Sequence, residues 1–152
     1  MSTKLSTRTG DIKKFEIFQA KDGGKSIDAL SAVVDIKYYE DVLSNTISLN
    51  VIIEEVGGSD TGMGNKGILD GLPVRGGEPC DIIIEDHDGN ELKFREESKL
   101  YVNRVHAGLP GTQKDIYGID FTSRELFANE QCRVVKRYEG KISDNVKKIL
   151  EE

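Results

Sequence analysis

The sequence predicts a mainly antiparallel β-domain with a short helix near residues 123–130 and a second helix near the C-terminus at 142–151. Three observations support this fold class: one long segment of alternating apolar and polar residues, several shorter ones separated by turn signals, and a change to helical periodicity only after residue 121. At 152 residues, the chain is long enough for one domain with its own core. We therefore expect a flexible arm at 1–12, a β-domain at 13–140 and an amphipathic helix at 141–152.

The clearest strand signal is the segment Thr46–Ile53, in which apolar side chains alternate with mostly polar ones. A period of two places alternate side chains on one face of a strand. We therefore expect a buried row formed by Ile47, Leu49, Val51 and Ile53. Many of these residues are β-branched, which suits a pleated sheet.

Weaker alternation predicts six further strands. They are Lys13–Gln19, Ala32–Tyr39, Cys80–Asp86, Glu91–Arg95, Leu100–His106 and Asp115–Phe121. In the first of these segments, Phe15 and Ile17 should share a buried face. In the second, Val34, Ile36 and Tyr38 should do so.

Glycine-rich segments mark the connections between the predicted strands. Gly57–Gly67 contains five glycines in eleven residues and is expected to form a flexible loop. Asp88-Gly89 predicts the turn of a β-hairpin. Gly108–Gly111 predicts a second turn, and Leu72–Gly77 a short linker.

After residue 121 the periodicity is that of a helix. Thr122 and Glu125 have the spacing of a capping box, in which each side chain satisfies the backbone donor of the other residue. This motif predicts the start of a short helix that buries Leu126 and Phe127.

The C-terminal segment has the pattern of an amphipathic helix. Ile142, Val146, Ile149 and Leu150 recur at i, i+4, i+7 and i+8, which places them along one side of a helix. Between the two predicted helices, Val134-Val135 indicates a last short strand.

Two glycine motifs resemble signatures of enzymes, but their surroundings favour a plain loop. Gly62–Gly67 fits the dinucleotide-binding pattern G-x-G-x-x-G, yet no strand directly precedes it and no helix is predicted to follow it. Gly57–Thr61 falls one residue short of the nucleophile elbow G-x-S-x-G, and again no helix follows. We therefore predict no catalytic and no cofactor-binding residue.

Acidic residues around the Asp88-Gly89 turn have the spacing of a calcium loop. Positions 1, 3, 5 and 12 of such a loop would be Asp86, Asp88, Asn90 and Glu97. However, Glu91 stands where the EF-hand requires glycine for its sharp bend. A hairpin turn accounts for the same residues more simply. His87 is therefore expected to be a solvated surface residue, and we predict no metal site.

Composition and charge argue against several classes of protein. Lys plus Arg number 21 and Asp plus Glu number 27, so the formal net charge is −6, which disfavours a protein that grips nucleic acid. Apolar runs are too short for a transmembrane helix, and the polar N-terminus does not resemble a signal peptide. Cys80 and Cys132 are expected to be buried or half-buried thiols in a reducing compartment. We expect a soluble, cytosol-made domain with no membrane contact.

Six segments, taken in their order and spacing, carry a family resemblance. They are Tyr38–Ser44 before the strand Ile47–Ile53, Leu72–Glu78, Ile82–Ile84 with its Asp88-Gly89 turn, Phe121–Glu125, Arg133–Tyr138 and Lys141–Val146. Together they resemble the N-terminal barrel of the baseplate hub proteins of T4-type contractile-tailed phages and their cyanophage relatives. The resemblance extends from about Phe15 to the end of the chain.

The resemblance implies a tail-tube-type fold, which is a β-barrel or sandwich with a flanking helix. In hub proteins, three chains close a pseudo-sixfold ring in the virion baseplate that joins the tail tube to the spike, after assembly in the host cytoplasm. DNA passes through the ring without specific binding, and the family has no catalytic residues. Because a cationic lumen would hold DNA, the strand faces nearest the axis should be neutral or acidic, with Lys and Arg paired or turned outward.

Hub chains usually run beyond this length, and the present sequence stops within the predicted helix at 141–152. The chain is then either a fragment, in which this helix starts a further hub domain, or an abbreviated hub. A tail tube protein, which builds hexameric rings from one-barrel chains, is an alternative within the structural class. A small soluble ligand-binding or hydrolytic β-domain is the alternative outside it.

Overall fold

The computed structural model is dominated by one antiparallel β-sheet. It describes residues 10–21, 24–56, 67–72, 74–110, 114–133, 135 and 137–151. Within these ranges the strands are β1 (Asp11–Phe18), β2 (Ser26–Asp28), β3 (Val33–Tyr39), β4 (Ser48–Val56), β5 (Pro79–Glu85), β6 (Glu91–Phe94), β7 (Leu100–Pro110) and β8 (Lys114–Thr122). The helices are α1 (Ile68–Gly71), α2 (Arg124–Gln131) and α3 (Ile142–Glu151), with 3-10 turns at Leu30–Ala32 and Glu96–Ser98. The predicted mainly β fold class is confirmed, together with both predicted helices.

The strands follow the order β2-β1-β5-β7-β8-β4-β3, and β6 also pairs with β5. One edge of β5 pairs with β1. The other edge pairs with β7 through Pro79 and Cys80 and with β6 through Ile82–Glu85. Tyr38 of β3 packs on Phe94 of β6, with ring centroids 5.7 Å apart. The sheet therefore curls around its core, and side chains connect β3 to β6.

The two apolar rows that the sequence predicts most clearly, those of β4 and β1, both lie in the core. In β4, Leu49, Val51 and Ile53 are buried and Ile47 is half-buried against the core. Phe15 and Ile17 of β1 are also buried. Phe15 meets Phe121 of β8 edge to face at 5.7 Å, so the core joins the two sides of the curled sheet.

The prediction for β3 is wrong at one residue. Ile36 and Tyr38 are half-buried towards the core, whereas Val34 is 60% exposed. The register with β4 shifts between Val33 and Asp35. A bulge of this kind adds one residue to the strand and reverses the alternation, so Val33 packs on the core in place of Val34.

The predicted capping box is also wrong. Thr122 is the last residue of β8, and its hydroxyl donates a hydrogen bond to the Ile47 carbonyl. The N-cap of α2 is Ser123, which makes no side-chain capping bond because its hydroxyl accepts from the Ile47 amide. Both hydroxyls thus attach the end of β8 to the start of β4. They do not cap the helix.

Several smaller features differ from the prediction. β1 begins at Asp11, within the predicted arm, and β7 continues into the predicted Gly108–Gly111 turn as far as Pro110. The short elements β2 and α1 were not predicted from the sequence. Leu126 and Phe127 are half-buried, with Phe127 against Tyr101. Val135 lies outside any strand.

The two thiols have different surroundings. Cys80 is buried, as predicted, whereas Cys132 is exposed because it follows the end of α2 at the surface. Residues 57–66 of the glycine-rich segment, Val134 and the first nine residues lie outside the described ranges.

Candidate functional site

The strands β3, β4, β8 and β7 present one broad face that points away from the core. Side chains alternate along a strand, so the residues between the buried ones share this outer face. In register, Asn50 of β4 and Arg104 of β7 both lie opposite Asp120 of β8. We call this surface the polar sheet face. Its residues are Asp35, Lys37, Tyr39, Ser48, Asn50, Ile52, Glu54, Arg104, His106, Lys114, Ile116, Gly118 and Asp120.

The charges of the polar sheet face are balanced. It carries three cations and three carboxylates, namely Lys37, Arg104, Lys114, Asp35, Glu54 and Asp120. Lys37 Nζ lies 3.7 Å from Asp35 Oδ2, and Lys114 is ion-paired with Glu54. Arg104 stands opposite Asp120 in the β7–β8 register. With His106 neutral, the face has no formal net charge.

Asp120 is the centre of a cross-strand network on this face. Its Oδ1 accepts a hydrogen bond of 2.7 Å from Asn50 Nδ2, and its Oδ2 lies 2.6 Å from His106 Nε2. A Cβ at Gly118 would come within 3.4 Å of His106 Cδ2, so glycine leaves room for the imidazole. The network connects β4, β8 and β7.

The surroundings of Asp120 favour its charged form. Burial raises the pKa of its carboxyl. The hydrogen bonds from Asn50 and His106 and the charge of Arg104 lower this pKa by a larger amount, so that it lies below the ordinary 3.8. The carboxylate is therefore ionised at neutral pH. It supplies a fixed negative charge beside Arg104 and His106.

The turn between β3 and β4 exposes two adjacent apolar side chains. Val42 is 100% exposed and Leu43 is 96% exposed. The turn is nevertheless held by hydrogen bonds: Asp41 Oδ1 accepts from the Leu43 amide at 2.8 Å, and the Asp41 carbonyl accepts from the Ser44 amide at 2.9 Å. We call Asp41–Ser44 the apolar turn.

Beside the apolar turn lies a cleft of about 390 Å³. It is lined by Tyr38, Tyr39, Glu40, Asp41, Ser44, Thr46 and Ser48. The Tyr38 hydroxyl donates to Glu40 at 2.6 Å. Burial and this carboxylate raise the pKa of Tyr38 to about 12, so the phenol stays protonated. The cleft therefore offers the carboxylates of Glu40 and Asp41 and a protonated phenol.

The apolar stripe of α3 faces solvent. Ile142 and Leu150 are 82% and 81% exposed, and Val146 and Ile149 are about half exposed. An exposed stripe of this kind marks an association surface or an aggregation liability.

The hairpin interpretation of Asp88-Gly89 is confirmed, since β5 and β6 pair on either side of it. Asp86 Oδ1 accepts from the amides of Asp88 and Asn90 at 2.8 Å, which shapes the turn. Gly89 has a φ of +84°, a conformation that favours glycine. His87 is exposed and lies 3.3 Å from Asp88. Asp86, Asp88 and Asn90 of the calcium-like spacing therefore form this turn, whereas Glu97 lies beyond β6 in the 3-10 turn Glu96–Ser98.

Two absences hold for the described part of the chain. It contains no group of three or more His, Cys, Asp or Glu side chains placed to hold a metal ion. None of its helices has the length and apolarity needed to span a bilayer. The motifs Gly57–Thr61 and Gly62–Gly67 lie outside the described ranges except for Gly67.

No family model, no curated protein and no solved structure matches the chain. We therefore infer its function from the geometry of its surfaces. Sequence reasoning did not find the Asp120 network, because His106 and Asn50 lie 14 and 70 residues away along the chain. The sequence does show the polar residues that alternate with apolar ones in β4 and β8, and these include Asn50 and Asp120.

Proposed function

We propose that this chain is a structural subunit of a ring through which a polyanion passes. Within that class, we propose a phage baseplate hub that joins the tail tube to the spike in the virion. The observation that carries the proposal is the balanced polar sheet face, on which Lys37 and Lys114 each have a carboxylate partner. The resemblance of the sequence to hub proteins supports the same conclusion.

The charge balance suits a surface that DNA must pass without binding. Duplex DNA carries about one negative charge per 1.7 Å of its axis, so a face with unpaired cations would bind phosphates and release counterions. Here each lysine of the face is neutralised within its own strand or by the neighbouring strand. A face of this kind neither grips DNA nor repels it strongly.

The exposed apolar surfaces fit a subunit that has neighbours. Val42, Leu43, Ile142 and Leu150 are all more than 80% exposed. Their two locations, the apolar turn and α3, provide separate places for contact with other chains. A tail tube protein with six chains to the ring is the second candidate, because one sheet per chain also fits it.

The number of chains per ring tests the proposal. The full chain should form rings with a central opening, detected by electron microscopy and counted by native mass spectrometry. Three copies would support a hub, and six would support a tube protein. A chain that stays monomeric at every concentration, or that hydrolyses a substrate, would contradict the proposal.

A further inference from the structure

We propose that His106 makes the polar sheet face a proton-gated site for the phosphates of DNA, with little affinity near neutral pH and measurable affinity in mildly acidic solution. This proposal rests on the proposed function, since it names a condition under which a polyanion that passes the face is held by it. The supporting observation is the position of one imidazole in a surface whose other charges balance.

The hydrogen bond between His106 and Asp120 determines where a proton can be added. Asp120 is ionised at neutral pH because its pKa lies below the ordinary 3.8, and an ionised carboxylate only accepts hydrogen bonds. His106 Nε2, which lies 2.6 Å from Asp120 Oδ2, therefore carries the hydrogen of the neutral imidazole. Acidification adds the second proton at Nδ1 and gives the ring one positive charge. The His106 side chain is 45% exposed, so water reaches it without a change of fold.

Each of the three carboxylates of the polar sheet face already has a cation beside it. Asp120 lies opposite Arg104 in the β7–β8 register, and the charge of Arg104 acts on its carboxyl. The other two carboxylates are ion-paired with the two lysines of the face. After His106 is protonated, Asp120 therefore stands between two cations. The face changes from no formal net charge to one positive charge per chain.

The neighbours of His106 do not cancel this added charge. The residues that face it from β7, β8 and β4 are, in that order, Arg104, Gly118 with Asp120, and Ile52 with Asn50 and Glu54. Glu54 is ion-paired with Lys114. Within the described ranges, β5 pairs with β7 only at Leu100 and Tyr101, well before His106. The charge that protonation adds therefore stays uncompensated at the surface.

Arg104 and protonated His106 together have the geometry of a phosphate site. Residues two apart on a strand share a face and lie about 7 Å from each other. Two oxygens of one phosphate can therefore accept from both side chains, and such charge-assisted hydrogen bonds are strong. Gly118 lies opposite His106, where a Cβ would come within 3.4 Å of the ring atom Cδ2. Glycine thus keeps the approach to the imidazole open.

DNA binding at two pH values tests this site. Histidine ordinarily changes its charge between about pH 5 and 8, whereas carboxyl groups ordinarily titrate near about pH 4. Fluorescence anisotropy of a labelled duplex is therefore measured at about pH 7.5 and about pH 5.5. On acidification, the slope of log K against log salt should change from near zero to about −0.9 per chain that contacts the duplex. For one chain, this slope is a roughly three- to fourfold loss of affinity between about 50 and 200 mM salt.

Three variants assign the effect to His106. His106→Gln keeps a hydrogen-bond donor for Asp120 but cannot gain a proton, so its DNA binding should not respond to acidification. His87→Gln is the matched control, because His87 is the second of the two histidines and lies exposed beside Asp88 in the β5–β6 turn. This control should respond like wild type. His106→Lys carries its charge at neutral pH and should bind DNA at about pH 7.5.

The outcomes distinguish this site from the proposed function. A response of His106→Gln equal to that of wild type, or a folded His106→Lys that does not bind DNA, would overturn the site. Rings whose DNA binding does not change on acidification would also overturn it, while the proposed ring would stand. A monomer that binds DNA only in acid, with a slope of about −0.9, would support the site and contradict the ring.

Discussion

Removing the three carboxylates of the polar sheet face should make this face bind DNA. The variant combines Asp35→Asn, Glu54→Gln and Asp120→Asn. These side chains are 52%, 28% and 31% exposed, and exposed ion pairs contribute about 0.2–1 kcal/mol each. We therefore expect the variant to remain folded with a modestly lower free energy of unfolding.

The size of the effect follows from the number of cations released. Lys37, Lys114 and Arg104 would each be free to neutralise one phosphate. At about 0.9 per phosphate contact, the slope of log K against log salt should change from near zero to about −2.7 per chain. Affinity for duplex DNA should then fall roughly forty-fold between about 50 and 200 mM salt. Fluorescence anisotropy of a labelled duplex, titrated over this range, measures both values.

A control variant distinguishes the loss of ion pairs on the polar sheet face from the change in net charge of the whole chain. Glu97→Gln, Glu130→Gln and Asp144→Asn change the formal net charge by the same amount, at exposed positions outside the polar sheet face. This control should leave DNA binding unchanged. If the face variant is folded and shows no salt-dependent DNA binding, or if the control binds equally well, charge pairing on this face does not keep DNA unbound.

Three further predictions concern titration, thiol reactivity and the C-terminal helix. The pKa of Asp120 is lower in the folded state than its unfolded-state value near 3.8, so its ionised carboxylate stabilises the folded state at pH values above 3.8. This contribution disappears as the pH falls through the folded-state pKa. Asp120→Asn should therefore lower the free energy of unfolding at pH 7, and urea titrations should show that its difference from wild type vanishes at lower pH; a constant difference would contradict the assignment. In native protein, a thiol reagent should label Cys132 but not Cys80, whose pKa burial raises well above its ordinary range; rapid labelling of both would contradict the buried position. Val146→Ser with Ile149→Ser should improve solubility and leave the circular dichroism of the sheet unchanged, whereas unfolding would show that α3 belongs to the core.

The strands with long, regular alternation could be predicted from the sequence because one face of each is buried. In β4, the row from Ile47 to Ile53 carries its own periodicity, so no knowledge of the partner strand is needed. β3 was predicted less well since its bulge depends on pairing with β4, and this changes the direction of Val34. β2 has only three residues, Ser26–Asp28, which is too short to show alternation.

The functional surfaces were harder to predict for a related reason. Lys114 and Glu54 lie 60 residues apart and meet only because β4 and β8 pair in one register. Likewise, a groove lined by Ile12 and Val33 forms because the start of β1 lies near the start of β3. Sequence alone shows that these positions are polar or apolar, but contacts between strands decide which partners they have.

The register between β4 and β8 links the core to the charge pattern of the polar sheet face. A slip of one residue between β4 and β8 would move the buried row to the outer face, which the hydrophobic core forbids. A slip of two residues would keep each row on its face, but it would place Asp120 opposite Ile52 or Ser48 and separate it from Asn50. The slip that places Asp120 opposite Ile52 would also separate Lys114 from Glu54, whereas the slip towards Ser48 would place Lys114 directly opposite Glu54. The hydrophobic core therefore excludes the odd slips, the Asn50–Asp120 bond disfavours both two-residue slips, and the Lys114–Glu54 ion pair disfavours one of them. On this argument, the pairing that keeps the face electrically balanced also helps to specify the register of the sheet.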